Sequence, residues 1–120
     1  MEPRILLVDD DRLLREVIGD CLKLHHYRAD MAEDATAALK LFKPGQYKLA
    51  IIDLVMPGMN GLELMEKLMA ADSEIFCLIM TGYPTIDSAY KAMVEGASDY
   101  IIKPFNLNEL IAAIKQHLGS

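Results

Sequence analysis

Acidic side chains stand at the ends of two apolar runs in the chain. Asp9 and Asp10 follow the run Ile-Leu-Leu-Val, and Asp53 follows the run Leu-Ala-Ile-Ile. Carboxylates brought together in this way would repel one another unless a cation lay among them. Because no histidine or cysteine is near them in the sequence, the oxygen-only ligand set suits Mg²⁺, with Mn²⁺ as a substitute, better than zinc. Asp11 is explained as a helix N-cap, but Asp53 interrupts an apolar strand and has no capping role there.

A carboxylate beside a bound divalent cation can attack phosphorus and form an acyl phosphate. The oxygens of the transferred phosphoryl group must then be neutralised by the metal and by fixed donors. Thr81 offers a hydroxyl and Lys103 a cation, each at the end of another apolar run. Gly82 leaves room for a phosphoryl group and offers an unobstructed backbone N–H. Each residue alone is weak evidence, but the agreement of four run ends predicts phosphoryl chemistry at Asp53.

The run ends can meet only if the runs are strands of one sheet. Short aliphatic runs alternate along the chain with longer segments of helical period. The predicted strands span residues 4–8, 28–31, 49–53, 75–80 and 100–102. The predicted helices span about residues 11–24, 35–43, 61–70, 86–95 and 106 onward.

This alternation predicts an α/β fold with one parallel sheet and helices on both of its faces. The first, third and fourth strands are apolar throughout, which is typical of strands that are covered on both sides. In the first helix, Leu13, Leu14, Val17 and Ile18 recur at helical spacing and are predicted to face the core. Sites in such folds lie at the carboxyl ends of the strands, where the polar residues described above stand.

The composition is that of one globular domain. The chain has 120 residues, of which 52% are hydrophobic and 25% charged, and this supports one core and no second domain. The net charge of −6 argues against binding to a nucleic-acid backbone by this domain alone. Cys21 and Cys77 lie in apolar stretches and are interpreted as buried thiols in a reducing compartment. We expect a cytoplasmic domain without membrane contact, because signal-peptide features and long apolar runs are absent from the sequence.

Together these motifs resemble the receiver domain of two-component response regulators. The motifs are Ile-Leu-Leu-Val-Asp-Asp-Asp at 5–11, Ile-Asp-Leu-Val-Met-Pro-Gly-Met-Asn-Gly at 52–61, Thr-Gly at 81–82 and Lys-Pro-Phe at 103–105. They occur in the order typical of the family and cover essentially the whole chain. The resemblance implies a flavodoxin-like, doubly wound (βα)5 three-layer sandwich with a parallel five-stranded sheet in the order 2-1-3-4-5. Residues 1–120 would form a single receiver domain.

The resemblance also implies how a phosphoryl group is accepted and sensed. Asp53 would accept it from the phosphohistidine of a sensor histidine kinase, in a reaction that depends on Mg²⁺. Thr81 and Lys103 would contact the phosphoryl oxygens, and the Lys103–Pro104 peptide would be cis. Tyr100 would be a switch residue that turns inward when Thr81 moves toward the phosphoryl group.

The metal site implied by the resemblance uses residues from two strand ends. Asp10 and Asp53 would hold Mg²⁺ together with the main-chain carbonyl of Val55, and Asp9 would act mainly through metal-bound water. We also expect Val55 and Tyr83 to flank the path of an attacking water molecule. Their apolar and aromatic character then predicts slow hydrolysis of the acyl phosphate.

Two protein partners follow from the resemblance. One is the sensor kinase, and the other is an output domain or downstream protein that reads the face of the fourth helix, fifth strand and fifth helix. The chain is either a stand-alone receiver or part of a longer regulator, and phosphorylation-dependent dimerisation is compatible with both. Residues 80–85 and 103–106 are most similar to receivers of nitrogen-regulation-type activators, which favours a longer regulator. A receiver is not an enzyme in the usual sense, because it catalyses only its own phosphorylation and dephosphorylation.

Two other functions fit parts of the sequence. A Mg²⁺-dependent phosphohydrolase would also form an aspartyl phosphate, but the segment Asp53-Leu54-Val55 lacks the second acid, two residues after the nucleophile, that dehalogenase-like enzymes carry. A flavodoxin-like FMN carrier needs a Ser/Thr/Gly-rich phosphate loop after the first strand. Here residues 9–12 are Asp-Asp-Asp-Arg, which would repel a phosphate in the absence of a metal.

Overall fold

The computed structural model describes residues 4–119, in which strands and helices alternate. The strands are β1 (Arg4–Val8), β2 (Arg28–Ala32), β3 (Leu49–Asp53), β4 (Phe76–Thr81) and β5 (Asp99–Ile102). The helices are α1 (Arg12–Leu24), α2 (Ala35–Leu41), α3 (Gly61–Ala71), α4 (Ile86–Val94) and α5 (Leu107–Leu118). Every element lies close to its predicted position. Within residues 4–119 no helix is long and apolar enough to cross a membrane.

The five strands form one parallel sheet in the order β2-β1-β3-β4-β5, which confirms the predicted topology. The register of the central strands aligns their carboxyl ends, since Val8 pairs with Ile52 and Asp53 pairs with Met80. On the outer side of β4, Thr81 pairs with Ile102 at the end of β5. The polar residues that follow these strands therefore emerge at one edge of the sheet.

Apolar layers cover both faces of the sheet. Successive residues of a strand point to opposite faces, and in β1 Leu6 belongs to one core cluster while Leu7 belongs to the other. The first cluster lies under α2, α3 and α4, and the second lies under α1 and α5. Because both faces of β1, β3 and β4 are buried, the interior residues of these strands are apolar, and their polar residues stand at the strand ends.

The predicted core face of α1 is too wide. Ile18, Cys21 and Leu22 are buried, but Leu13 is 71% exposed and Val17 is 42% exposed. The helix contacts β2 and β1 along one stripe, so the side chains beside that stripe remain in solvent even though they are apolar. Periodicity identifies the inward direction of a helix, while the width of its buried stripe depends on what lies over it.

Helix starts on the functional edge of the sheet are capped by side chains. Asp11 accepts a hydrogen bond from the N–H of Leu14, which confirms its predicted capping role. Asn60 and Thr85 each form a capping box with the residue three positions later. These caps hold the strand-to-helix loops close to the sheet, so the side chains on the loops have defined positions.

Candidate functional site at the carboxyl edge of the sheet

Three carboxylates meet where β1 and β3 end. Asp9, Asp10 and Asp53 each offer an oxygen atom within 4.8 Å of the others. Asp9 and Asp53 are buried, with 0% and 5% exposure, whereas Asp10 is exposed at the surface of the cluster. The donor set contains only carboxylate oxygens and has one open side, which fits a hard divalent cation such as Mg²⁺ that keeps several waters.

Asp53 lies at the centre of this edge. Its Oδ1 atom accepts a long hydrogen bond from the N–H of Val55 at 3.4 Å and lies 3.6 Å from Nζ of Lys103. Burial raises the pKa of Asp53 to about 7, with Lys103 opposing the rise and Asp9 adding to it. A carboxylate with this pKa is more basic than a solvated one and holds a proton at mildly acidic pH.

Lys103 connects the two buried acids. Its Nζ atom lies 3.1 Å from Oδ2 of Asp9 as well as 3.6 Å from Oδ1 of Asp53. The backbone N–H of Lys103 donates to the carbonyl of Thr81, and the Lys103–Pro104 bond is cis, as the resemblance implied. A single ammonium group that contacts two carboxylates offsets part of their repulsion. A further anionic group attached to Asp53 would also lie near this ammonium group.

Thr81 is fully buried, and its Oγ1 atom accepts a hydrogen bond from the N–H of Tyr83 at 3.0 Å. The hydroxyl keeps its own proton available for donation. A cleft of about 760 Å³ opens in front of the acids, and Asp10, Asp53 and Lys103 lie in its wall. The structure therefore brings Asp10, Asp53 and Lys103 to one cleft, while Asp9 and Thr81 are fully buried and do not line it.

The cleft also has apolar and aromatic walls. Val55, in the loop after β3, and Tyr83, in the loop after β4, line the cleft and are 51% and 77% exposed. Leu14, Val17 and Phe105 extend it along α1 and the β5–α5 loop. Val17, which was predicted to face the core, thus lies in the wall of this cleft.

Gly61 is a site residue whose role the sequence did not reveal. A Cβ atom at this position would lie 2.4 Å from the carbonyl oxygen of Asp53 and 2.8 Å from Cα of Leu54. The N–H of Gly61 donates to the carbonyl of Leu54 at 2.9 Å. The start of α3 is therefore in contact with the backbone of the acceptor residue, and only glycine allows this approach. Its place directly after the N-cap Asn60 was the available signal.

Tyr100, the predicted switch residue, lies in β5 and is half-buried next to α4. Its hydroxyl lies 2.7 Å from Oγ of Ser88, which in turn donates to the carbonyl of Thr85 at 3.1 Å. The first turn of α4 is thus linked to β5 through two hydroxyl groups. Nothing in the spacing of these residues predicts that link, because Ser88 and Tyr100 belong to different elements.

The outer side of α4 and β5 carries exposed apolar side chains. Ile86 is 89% exposed, Tyr90 is 71% exposed, Val94 is 65% exposed and Ile102 is 51% exposed. Scattered exposed apolar residues are ordinary on a protein surface, but a group on one face marks a candidate contact surface. This surface begins five residues after Thr81, so it is directly connected to the loop behind the cleft.

Comparisons with known proteins agree with this geometry. The family model described as the response regulator receiver domain matches residues 5–115. The response regulator protein FleR of Pseudomonas aeruginosa is 37% identical over 117 residues, which are 98% of this chain and 25% of that protein. The response regulator MprA of Mycobacterium sp. strain KMS is 33% identical over 115 residues, which are 96% of this chain and 50% of that protein.

Solved structures show the same architecture. The crystal structure of a CheY-like response regulator receiver domain protein from Methanospirillum hungatei superimposes with a TM-score of 0.94 at 30% sequence identity. That superposition covers 98% of this chain and 94% of the other. By contrast, the chain spans a quarter of FleR and half of MprA, so these relatives contain further regions with no counterpart here.

Proposed function

The chain belongs to the response regulator receiver domain family of two-component systems, and on that premise we propose that it is a switch controlled by phosphorylation of Asp53. The phosphoryl group comes from the phosphohistidine of a sensor histidine kinase. Its arrival changes the conformation of the domain, and the change is read by an output domain or a downstream protein. The domain itself catalyses only its own phosphorylation and dephosphorylation.

One observation carries this proposal. Asp53 is a buried carboxylate that nonetheless reaches an open cleft, with Lys103 at 3.6 Å and two further acids within 4.8 Å. Burial of this kind is costly for a purely structural acid at the end of an apolar strand. A nucleophile, by contrast, must be accessible and basic and needs a cationic neighbour, and Asp53 meets these conditions with Lys103 as that neighbour.

The chain's own residues would carry out the transfer. An oxygen of Asp53 attacks phosphorus in line with the bond to the histidine nitrogen, a P–O bond forms, the P–N bond breaks, and the electron pair leaves with the imidazole. Lys103 neutralises one phosphoryl oxygen, and Thr81 donates its hydroxyl proton to another. Gly82 offers a backbone N–H and no side chain that would block the phosphoryl group.

The acidic cluster would hold the divalent cation that the reaction needs. Asp10 and Asp53 supply carboxylate oxygens, the carbonyl of Val55 supplies a third ligand, and Asp9 acts mainly through a metal-bound water. When bound, Mg²⁺ offsets the negative charge that develops on the phosphoryl oxygens. The oxygen-only composition of the cluster supports this choice of metal, with Mn²⁺ as a substitute.

The output would run from Thr81 to the exposed face of α4, β5 and α5. Movement of Thr81 toward the phosphoryl group changes the space that Tyr100 occupies, and Tyr100 is linked through Ser88 to the start of α4. The apolar side chains on this face, Ile86 and Tyr90 among them, would contact the output partner or a second receiver in a phosphorylation-dependent dimer. Residues 1–120 would constitute one receiver domain, either stand-alone or part of a longer regulator, and the partial coverage of FleR and MprA supports the second alternative.

A phosphoryl analogue tests the switch. Beryllofluoride and Mg²⁺ are added to the chain, and amide resonances are followed by NMR. We expect binding that requires Asp53, with the largest shifts outside the cleft in α4 and β5. Tyr100→Ala should bind the analogue with similar affinity but lose most of the shifts in α4. Binding that survives Asp53→Asn, or shifts confined to the cleft, would contradict the proposal.

A further inference from the structure

Arg15 holds the backbone of the acidic cluster. Its Nη1 atom donates to the main-chain carbonyl oxygen of Asp9 at 2.7 Å, and the contact is partly buried. Arg15 lies in the first turns of α1, and side chains on a helix lean toward its N-terminus, which here faces the end of β1. The guanidinium group therefore reaches back from α1 to the residue at which the chain leaves the sheet.

The carbonyl of Asp9 is in an unusual position. The N–H of Asp9 still donates to the carbonyl of Ala32 in β2, so this is the last point of contact with the sheet. From there the chain turns toward α1, and the Asp9 carbonyl points out of the sheet. Arg15 supplies its partner, and without it this partly buried carbonyl would have to turn toward water.

This carbonyl belongs to the peptide that joins the two acids of the cluster. The carbonyl of Asp9 and the N–H of Asp10 lie in one rigid plane, so fixing the oxygen also fixes the direction in which Asp10 leaves the chain. The side chain of Asp9 is already held at both oxygens, by the N–H of Asp11 at 2.8 Å and by Lys103 at 3.1 Å. Asp10 is exposed and its carboxyl group lies beside that of Asp53, so the orientation of this peptide helps to set where the Asp10 oxygens lie.

We infer that Arg15 is a positioning residue for the divalent-cation site, acting on Asp10 through the carbonyl of Asp9. The inference rests on the proposed function, since it concerns the cation that phosphoryl transfer would use. It makes a claim that opposes simple electrostatics. A positive charge near three carboxylates should weaken cation binding, so its removal should strengthen binding if charge alone mattered. If positioning dominates, its removal should weaken binding.

The test compares neutral substitutions at two arginines of the same helix. Arg15→Met removes the charge and the hydrogen bond. The control, Arg12→Met, removes the same charge from a side chain that is 82% exposed and forms a surface ion pair with Glu16. Mg²⁺ affinity is measured by calorimetry on the whole chain at pH 8. We expect Arg15→Met to raise Kd about fivefold, the effect of losing roughly one hydrogen bond, and Arg12→Met to leave Kd unchanged or slightly lower.

Two further variants separate positioning from folding and from the proposed function. Arg15→Lys keeps the charge and a donor and should bind Mg²⁺ within about twofold of the wild type. Arg15→Gln is neutral and too short to reach the carbonyl, so it replaces Arg15→Met if that variant does not fold. The amide resonance of Asp10 should move in both neutral variants before metal is added.

The outcomes distinguish failure of the inference about Arg15 from failure of the proposed function. If the wild type binds Mg²⁺ through Asp10 and the neutral Arg15 variants bind as tightly as Arg12→Met, the inference is overturned and the proposed function stands. If the wild type does not bind Mg²⁺, or if binding survives Asp10→Asn, both are overturned. Weaker binding in the neutral Arg15 variants alone, with recovery in Arg15→Lys, supports the inference.

Discussion

Replacement of Asp53 by asparagine should stabilise the fold, and increasingly so as pH rises. Burial and Asp9 raise the pKa of Asp53 to about 7 from an ordinary value near 3.8. The folded chain therefore holds a proton on Asp53 that the unfolded chain releases. The stability that depends on this proton is fully present below pH 3.8, is lost as pH rises through 7, and is absent above it. Asp53→Asn keeps the shape of the side chain without the charge, so it escapes this loss.

The magnitude follows from the width of the pH window. Between pH 5 and pH 7 the wild type loses about 1.4 kcal/mol of unfolding free energy per pH unit from this group, or about 3 kcal/mol in all. We expect the advantage of the variant to grow by about 2 to 3 kcal/mol between pH 5 and pH 8, because the charges of Lys103 and Asp9 already contribute to the shifted pKa of Asp53. Urea unfolding followed by circular dichroism, with a chelator present, measures it directly.

The control is Asp20→Asn, which removes a carboxylate from the exposed surface of α1. Its effect should change by less than about 0.5 kcal/mol over the same pH range, as is usual for surface substitutions. A stability advantage of Asp53→Asn that is constant with pH, or that shrinks toward pH 8, would refute the conclusion that folding raises the pKa of Asp53. Added Mg²⁺ should stabilise the wild type at pH 8 and so narrow the gap between it and the variant.

Three further predictions concern other parts of the site. Gly61→Ala should destabilise the fold by about 2 kcal/mol in urea unfolding, because its Cβ would collide with the backbone of Asp53. In the control Gly82→Ala the Cβ would meet only a side-chain atom at 3.9 Å, so the substitution should cost less than about 1 kcal/mol. Equal losses of stability in the two variants would contradict the close contact at Gly61. Lys103→Met should move the carboxyl titration of Asp53, followed by ¹³C NMR, above pH 7, because the ammonium group lowers that pKa; an unchanged midpoint would show that Lys103 does not act on Asp53. Val55→Asn should shorten the acyl-phosphate lifetime about fivefold by offering a polar group to the attacking water, and an unchanged lifetime in a mass-spectrometric decay series would count against that role.

Much of the site was predictable because it lies at strand ends. Parallel strands share a carboxyl edge, so residues 44 positions apart, such as Asp9 and Asp53, could be placed together once their apolar runs were identified as neighbouring strands. Lys103 could be added for the same reason. The order of the strands followed from the resemblance of the motifs to receiver domains, and hydrophobic pattern alone does not distinguish it from other right-handed windings.

The contacts that support the site were not predictable in the same way. The reach of Arg15 to the carbonyl of Asp9 depends on the angle at which α1 leaves β1, and that angle is set by the packing of the whole helix. The approach of Gly61 to Asp53 and the bond between Ser88 and Tyr100 likewise depend on how two elements are placed relative to each other. Side-chain spacing carries no information about such distances between elements. Arg15 and Ser88 were therefore indistinguishable from ordinary helix positions, and the contacts of Gly61 and Tyr100 were not predicted although the resemblance to the family covered both residues.

The central claim is that Asp53 accepts a phosphoryl group in a reaction that needs a divalent cation. Intact-mass measurement after incubation with a small phosphodonor tests it most directly, for the wild type and Asp53→Asn, with Mg²⁺ and with a chelator. We expect one added phosphoryl group in the wild type with Mg²⁺, and none in the variant or in the presence of the chelator. A phosphoryl group that appears on Asp53→Asn, or no addition to the wild type under any condition, would contradict the account.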